Sequence, residues 1–258
     1  MKIIQSSAGN LLLRNMLPED FALLAVSLVR IPLPVGLRLH EAHRPITRVY
    51  FPEDGLVSIV AVTPAGKQCE VGLFGREGMS ETATVLGTDN APYEAYVQVS
   101  GASALSLPVL ALTAAFDASP TLRRHLLRYC QAMMIQLSSS VAAAGLTILQ
   151  RLARWLLMAH DRAPGNDIGL THEFLSMMLG VRRGGVTIAL QALAAARLIE
   201  TSRSKIAICD RGGLKQLAGD AYGLAESEYL RLIGEPLERD GPFAAQEASK
   251  PRRKLVDL

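Results

Sequence analysis

The chain has 258 residues, 49% of them hydrophobic and 20% charged, with a formal net charge of +3. This is the balance of a soluble globular protein long enough for two domains. Cys69, Cys130 and Cys209 are odd in number and far apart, which disfavours a disulfide framework and a structural zinc site. The N-terminus lacks an apolar core of the secretory type, and no apolar run approaches the ~20 residues needed to span a bilayer, so a cytoplasmic protein is expected.

Leu17–Leu24 reads as a short helix, with Pro18 allowed in its first turn. From Ile31 to Leu107, short β-type runs then alternate with turn signals: Val49–Phe51, Leu56–Val62, Gln68–Phe74 and Tyr96–Val99. Pro64-Ala-Gly66 links two of them as a hairpin. Many short strands at this spacing predict a small antiparallel barrel or jelly roll whose interior can hold one small ligand. Residues 1–118 are therefore expected to form a β-roll sensor domain.

A long helix is predicted from Ser119-Pro120, where Ser can cap and Pro suits the first helical position. Leu122, Leu126, Cys130, Met133, Leu137, Val141 and Ala144 form one apolar stripe along it. A stripe of that length fits the seam of a homodimer, packed against its own copy; the alternative is that it faces its own domain core. Gly145 and Thr147 weaken helix propensity, placing a hinge before Leu149–Met158 resumes the pattern. Residues 119–146 are expected to be dimerisation helix and hinge.

The segment Leu170–Leu193 reads as two short helices joined by a glycine turn. Thr171 can cap the first, Glu173 suits the helix dipole, and Phe174, Leu175, Met178 and Leu179 give an apolar face. Gly180 stops that helix. A second, entered near Arg182, would bury Val186, Leu190 and Leu193 and present Arg182, Arg183, Thr187 and Gln191 on or beside the opposite face. Leu198–Thr201 and Ile206–Cys209 then form two strands around Ser202-Arg-Ser-Lys205, a wing whose Arg203 and Lys205 would touch phosphates. Helices, turn and basic hairpin in this order are the plan of a winged helix-turn-helix, expected over 147–234. The alternative is an ordinary helical pair with a solvated arginine face.

Charge follows the same division: residues 1–118 carry 8 Lys/Arg and 11 Asp/Glu, whereas residues 151–218 carry 10 and 5. The basic excess lies where phosphate would be met. The tail, 235–258, has little periodicity and is expected to be mobile.

Short helix, β-roll, long helix, hinge and winged helix-turn-helix, together with Gly75-Arg-Glu-Gly78 after its strand and the segment Leu170–Ile199, resemble the Crp/Fnr family of bacterial transcription regulators. The resemblance covers about Leu11 to Tyr229. It implies an α+β chain in which the β-roll senses a small molecule, the long helix dimerises, and the recognition helix enters the major groove. It also implies double-stranded DNA with a near-palindromic operator as partner, with RNA polymerase as a further one. By that resemblance Arg182, Arg183 and Thr187 take base or phosphate contacts, with Gln191 further along the face. Gly75, Arg76 and Glu77 would open an effector pocket of the cyclic-nucleotide type. Glu81–Gly101, however, contains no Arg or Lys to neutralise a cyclic phosphate, which argues against cyclic AMP and cyclic GMP. Gly184 and Gly185 also stand where longer polar side chains are common.

No cofactor is expected. The family's iron-sulfur sensors use N-terminal cysteines, and none precedes Cys69. His40, His43 and His125 are available as haem ligands but are read as ordinary histidines. A metal-dependent, cupin-like enzyme starting from His40-Glu-Ala-His43 lacks a His-x-His pair and a matching third ligand, so the chain is not read as an enzyme. A ligand-binding roll whose C-terminal half mediates protein interaction is the remaining alternative.

Overall fold

The computed structural model describes residues 3–64 and 66–237. Two short helices, α1 (Leu11–Arg14) and α2 (Pro18–Ala25), lead into strands β1 (Val29–Leu33), β2 (Arg38–His40), β3 (Arg48–Pro52), β4 (Leu56–Val62) and β5 (Gln68–Gly75). After α3 (Thr82–Val85) come β6 (Glu94–Val99), β7 (Gly101–Pro108) and α4 (Val109–Ala118). The long helix α5 (Pro120–Ala142) has Ser119 as its N-cap and Pro120 in its first turn, as the sequence indicates. A 3₁₀ turn at Ala143–Gly145 ends it, at the expected hinge. Thr147 and Gln150 form a capping box that starts α6 (Ile148–Arg162).

The roll consists of two antiparallel sheets, ordered β1-β7-β3 and β2-β6-β4-β5. β4 pairs with β5 from Leu56↔Gly75 to Val62↔Gln68, with one register shift between Ile59 and Val60. Its near-continuous apolar sequence has a physical cause, since both faces of the strand are covered. Val57 packs into the roll interior with Phe51, Phe74, Val97 and Leu105. Leu56 and Val60 join Leu73 and Val99 in a second core with Trp155, Leu156, Phe174 and Leu175. The C-terminal unit is thus docked on the outer face of the four-stranded sheet.

That unit comprises α6, β8 (Asp167–Gly169), α7 (His172–Leu179), α8 (Arg183–Ala195), β9 (Ile199–Ser202), β10 (Lys205–Ile208) and α9 (Arg211–Ala218), its sheet ordered β8-β10-β9. The last helix, α10 (Leu224–Ile233), behaves differently from what a boundary at 234 implies. Tyr229, Leu232 and Ile233 leave the winged unit and pack, with Leu237, into the core shared by the roll and α5. Of the tail expected to be mobile, 238–258 lies outside the described residues.

Candidate nucleic-acid interface

The two helices meet as their sequence dictates. Thr171 Oγ1 accepts from the Phe174 amide at 3.1 Å and caps α7. Gly180 takes φ +62°, a left-handed value that a side chain would disfavour, and Ser176 Oγ donates to the Val181 carbonyl at 2.6 Å to fix the turn. Val186, Ala189, Leu190 and Leu193 anchor α8, while Trp155 meets Phe174 edge-on at 5.7 Å beneath α7.

Anchoring these four residues turns Arg183, Gly184, Ile188 and Gln191 to solvent. Arg182 is the exposed N-cap residue. Thr187 lies on the flank, half-buried, with its hydroxyl donating to the Arg183 carbonyl and 3.1 Å from His172 Nδ1. Thr171 and Thr187 therefore shape the site with hydroxyls already engaged within the fold.

The wing stands beside this helix pair. Its tip carries Arg203 and Ser204, and the third strand, β8, supplies Asp167, whose Oδ2 lies 2.7 Å from Lys205 Nζ. Arg182, Arg183 and Arg203 make no ion pair among the described residues, whereas Lys205 already has a partner. A cleft of about 380 Å³ runs between the two parts, lined by Thr171, His172, Glu173, Arg183, Arg203 and Lys205. An exposed helix face with unpaired guanidiniums next to a cationic hairpin suits a polyanion with readable edges.

Two other groups of expected site residues are placed elsewhere. Leu122, Leu126, Cys130 and Met133 are buried in the chain's own core, and Leu137 covers Gly72 of β5, so these five residues face their own domain. Val141 alone of that group is exposed, at 76%. The free face of α5 is offset by one residue and carries Leu127, Gln131, Met134, Ser138 and Val141.

Gly75, Arg76 and Glu77 lie at the junction of roll, α5 and α6 rather than around an open pocket. Glu77 Oε1 accepts from Arg162 Nε at 2.8 Å, Arg162 Nη2 reaches Gln136 Oε1 at 3.1 Å, and both ion-pair partners are buried. A Cβ on Gly75 would fall 2.9 Å from Arg162 Cγ, so the glycine makes room for this side chain. Arg76 Nη2 donates to the Leu237 carbonyl at 2.7 Å, and Tyr229 Oη donates to the Glu77 carbonyl at 2.6 Å. The cavity left beside Glu77, Tyr129, Gln136 and Tyr229 has a volume of about 10 Å³, too little for a nucleotide.

The histidines do not converge. His40 is buried with no partner at Nε2 among the described residues, His43 is exposed, and His125 Nε2 meets the Leu12 carbonyl at 2.9 Å. Burial lowers the pKa of both His40 and His125. Among the described residues no group of three or more His, Cys, Asp or Glu is placed to hold a metal ion, and no helix is long and apolar enough to cross a membrane.

Residues 150–217 match the family described as the Crp-like helix-turn-helix domain. No curated protein matches the chain. Among solved structures, FixK2 from Bradyrhizobium japonicum has a TM-score of 0.64 at 16% identity, covering 76% of this chain and 99% of that one. A CRP-family transcriptional regulator from Thermus thermophilus has a TM-score of 0.63 at 18% identity, covering 76% and 98%. The c-di-GMP-responsive global regulator CLP of Xanthomonas campestris has a TM-score of 0.59 at 15% identity, covering 74% and 98%. At these identities the structural likeness is one of fold. Residues 150–217 are thus a Crp-like helix-turn-helix domain, in a chain whose fold is that of solved Crp/Fnr-family regulators.

Proposed function

We propose that the chain is a homodimer that binds a near-palindromic DNA operator sequence-specifically, works in the cytoplasm, and does not answer to cyclic AMP or cyclic GMP. The observation that carries the reading is the solvent face of α8, anchored from behind by Val186, Leu190 and Leu193 and bordered by Arg183, Arg182 and the wing. Such a helix fits the major groove, with its first turns nearest the base edges.

Dimerisation is supported by the free face of α5. Leu127, Gln131, Met134, Ser138 and Val141 follow one another at spacings of 4, 3, 4 and 3, the 3.5-residue repeat of a helix-helix seam. A groove of about 620 Å³ beside it, lined by Met134, Ile135, Ala142, Ala221 and Leu224, offers apolar surface that a second copy would cover. Insensitivity to cyclic nucleotides is supported by the absence of Lys and Arg from Glu81–Gly101 and by the engagement of Glu77 with Arg162. A phosphate entering there would meet no free cation and would have to displace a buried ion pair.

The test is an operator selected from random DNA, compared with scrambled DNA over a salt series. Arg183→Ala is expected to cost about 1–3 kcal/mol and relax preference at one position of each half-site. Arg203→Ala should weaken all sequences alike and flatten the salt slope by about one unit. Lys205→Ala should do less than Arg203→Ala, because Asp167 already holds its ammonium. Full affinity and preference in both arginine variants would reject the interface, and saturable micromolar calorimetric binding of either cyclic nucleotide would reject that part of the reading.

A further inference from the structure

We propose that Ile188 reads a thymine methyl group, so that each half-site of the operator holds a T·A pair at one fixed position in the major groove. This rests on the DNA-binding reading above and names what that helix face selects.

Ile188 is 69% exposed in the middle of α8. At 100° per residue, Gly184, Ile188 and Gln191 fall within roughly 60° of arc, and this arc lies opposite Val186, Ala189, Leu190 and Leu193. Arg183 and Thr187 occupy one shoulder of it. Midway along this face therefore stands an isoleucine, with a glycine one turn before it and a glutamine nearly one turn after. Around Gly184 there is nothing within 4 Å of where a Cβ would stand, so the wall of a groove can come close to the helix there.

A large aliphatic side chain held in water midway along such a face gains nothing from folding, because the chain's own core lies behind it. Against DNA it has one specific partner. In the major groove the C5-methyl of thymine is the apolar feature of the base edges, whereas guanine, cytosine and adenine present donors and acceptors that an isoleucine cannot satisfy. An Ile188 seated on any other base would leave those polar atoms desolvated without a partner. The rise of about 1.5 Å per residue puts Gln191 some 4.5 Å further along the axis, within reach of the same or the next base pair.

The test replaces single thymines of the selected operator by deoxyuridine, which removes only the methyl group. The wild-type protein is expected to lose about fourfold in affinity at one position per half-site, the loss of one buried methyl contact. Ile188→Ala, at an exposed position where the fold is not at risk, should bind the thymine and uracil operators equally. An undiminished uracil penalty in Ile188→Ala would assign the methyl to another residue and overturn the inference. So would a wild-type protein indifferent to every replacement while still distinguishing the operator from scrambled DNA, a result that leaves the DNA-binding reading standing. Failure to select any DNA would remove that reading and this inference together.

Discussion

Glu70 brings a carboxyl group from β5 into the seam between the roll and the DNA-binding unit, where both of its oxygens accept from neutral donors. Ser58 Oγ of β4 lies 2.7 Å from Oε2, and Trp155 Nε1 of α6 lies 2.9 Å from Oε1. The cations nearby, Arg162 and Arg154, are held by other partners: Arg162 by Glu77, Arg154 by the Ala221 carbonyl and Ser140 Oγ. Tyr96 of β6 also faces it, its pKa raised by its own burial and, in part, by Glu70. Burial dominates and pushes the Glu70 carboxyl up to about 7, against the smaller opposing effects of the two hydrogen bonds and the arginines. Because the folded-state pKa lies above the unfolded one, the protonated group's contribution is complete below the ordinary carboxylate range. It is lost as pH rises through about 7. Glu70→Gln keeps an acceptor for Trp155 and removes the titration. In urea unfolding, the variant should gain on the wild type by about 2 kcal/mol between pH 5 and pH 8. A gap that does not change with pH would mean that Glu70 is not the group that titrates. Asp161, raised to about 6 by burial against the opposing charges of Arg211 and Arg162, leaves a residual slope at the acid end in both proteins.

Helix α5 carries apolar residues on two sides because it lies between its own roll and a free surface. Met133 and Met134 are adjacent in sequence and differ in fate: Met133 is buried beside Tyr129 in the first core, while Met134 is 63% exposed. Met134→Glu should therefore leave the fold intact and place two like charges at the proposed two-fold seam. Sedimentation is expected to show a folded monomer where the wild type is a dimer. Met133→Glu should instead unfold the chain, by forcing a carboxylate into a packed apolar site. A folded Met134→Glu protein that keeps its dimer mass would remove this face from the interface. The choice between the two faces was not legible in the sequence. The stripe Leu122-Leu126-Cys130-Met133 and the stripe Leu127-Met134-Val141 both have helical spacing, and only the packing of the roll decides which one is covered. The helix start was legible because Ser119 and Pro120 act locally, and so was the turn at Gly180. Ile188 was not legible for the converse reason, since helical amphipathicity puts polar residues at the exposed positions of a reading face.

At the scale of the whole molecule, the order of parts could be read from local signals, but their docking could not. Glu70 and Trp155 are 85 residues apart, as are Glu77 and Arg162, and neither pair belongs to a motif. The docking nonetheless determines how the chain responds to stress. The second core combines Leu56, Val60, Leu73 and Val99 of the roll with α6, α7 and α8, and the first core takes Tyr229, Leu232 and Ile233 from the far end of the chain. Neither core can be lost without exposing apolar surface of the other unit, which couples two units that would otherwise unfold separately. Trp155, the only tryptophan, reports on the second core; Tyr129 and Tyr229, buried against Glu77, belong to the first and are the buried tyrosines among the described residues, Tyr96 and Tyr222 being only partly buried on the second. In urea at fixed protein concentration, tryptophan emission and near-ultraviolet tyrosine dichroism should trace one coincident transition. Glu77→Ala would leave the Arg162 guanidinium buried without its carboxylate, at a cost of about 3–5 kcal/mol, and should move both signals to lower urea by the same amount. A variant whose tryptophan signal melts first while the tyrosine signal stays in place would show that the junction holds only the DNA-binding unit, and that the roll is stable without it.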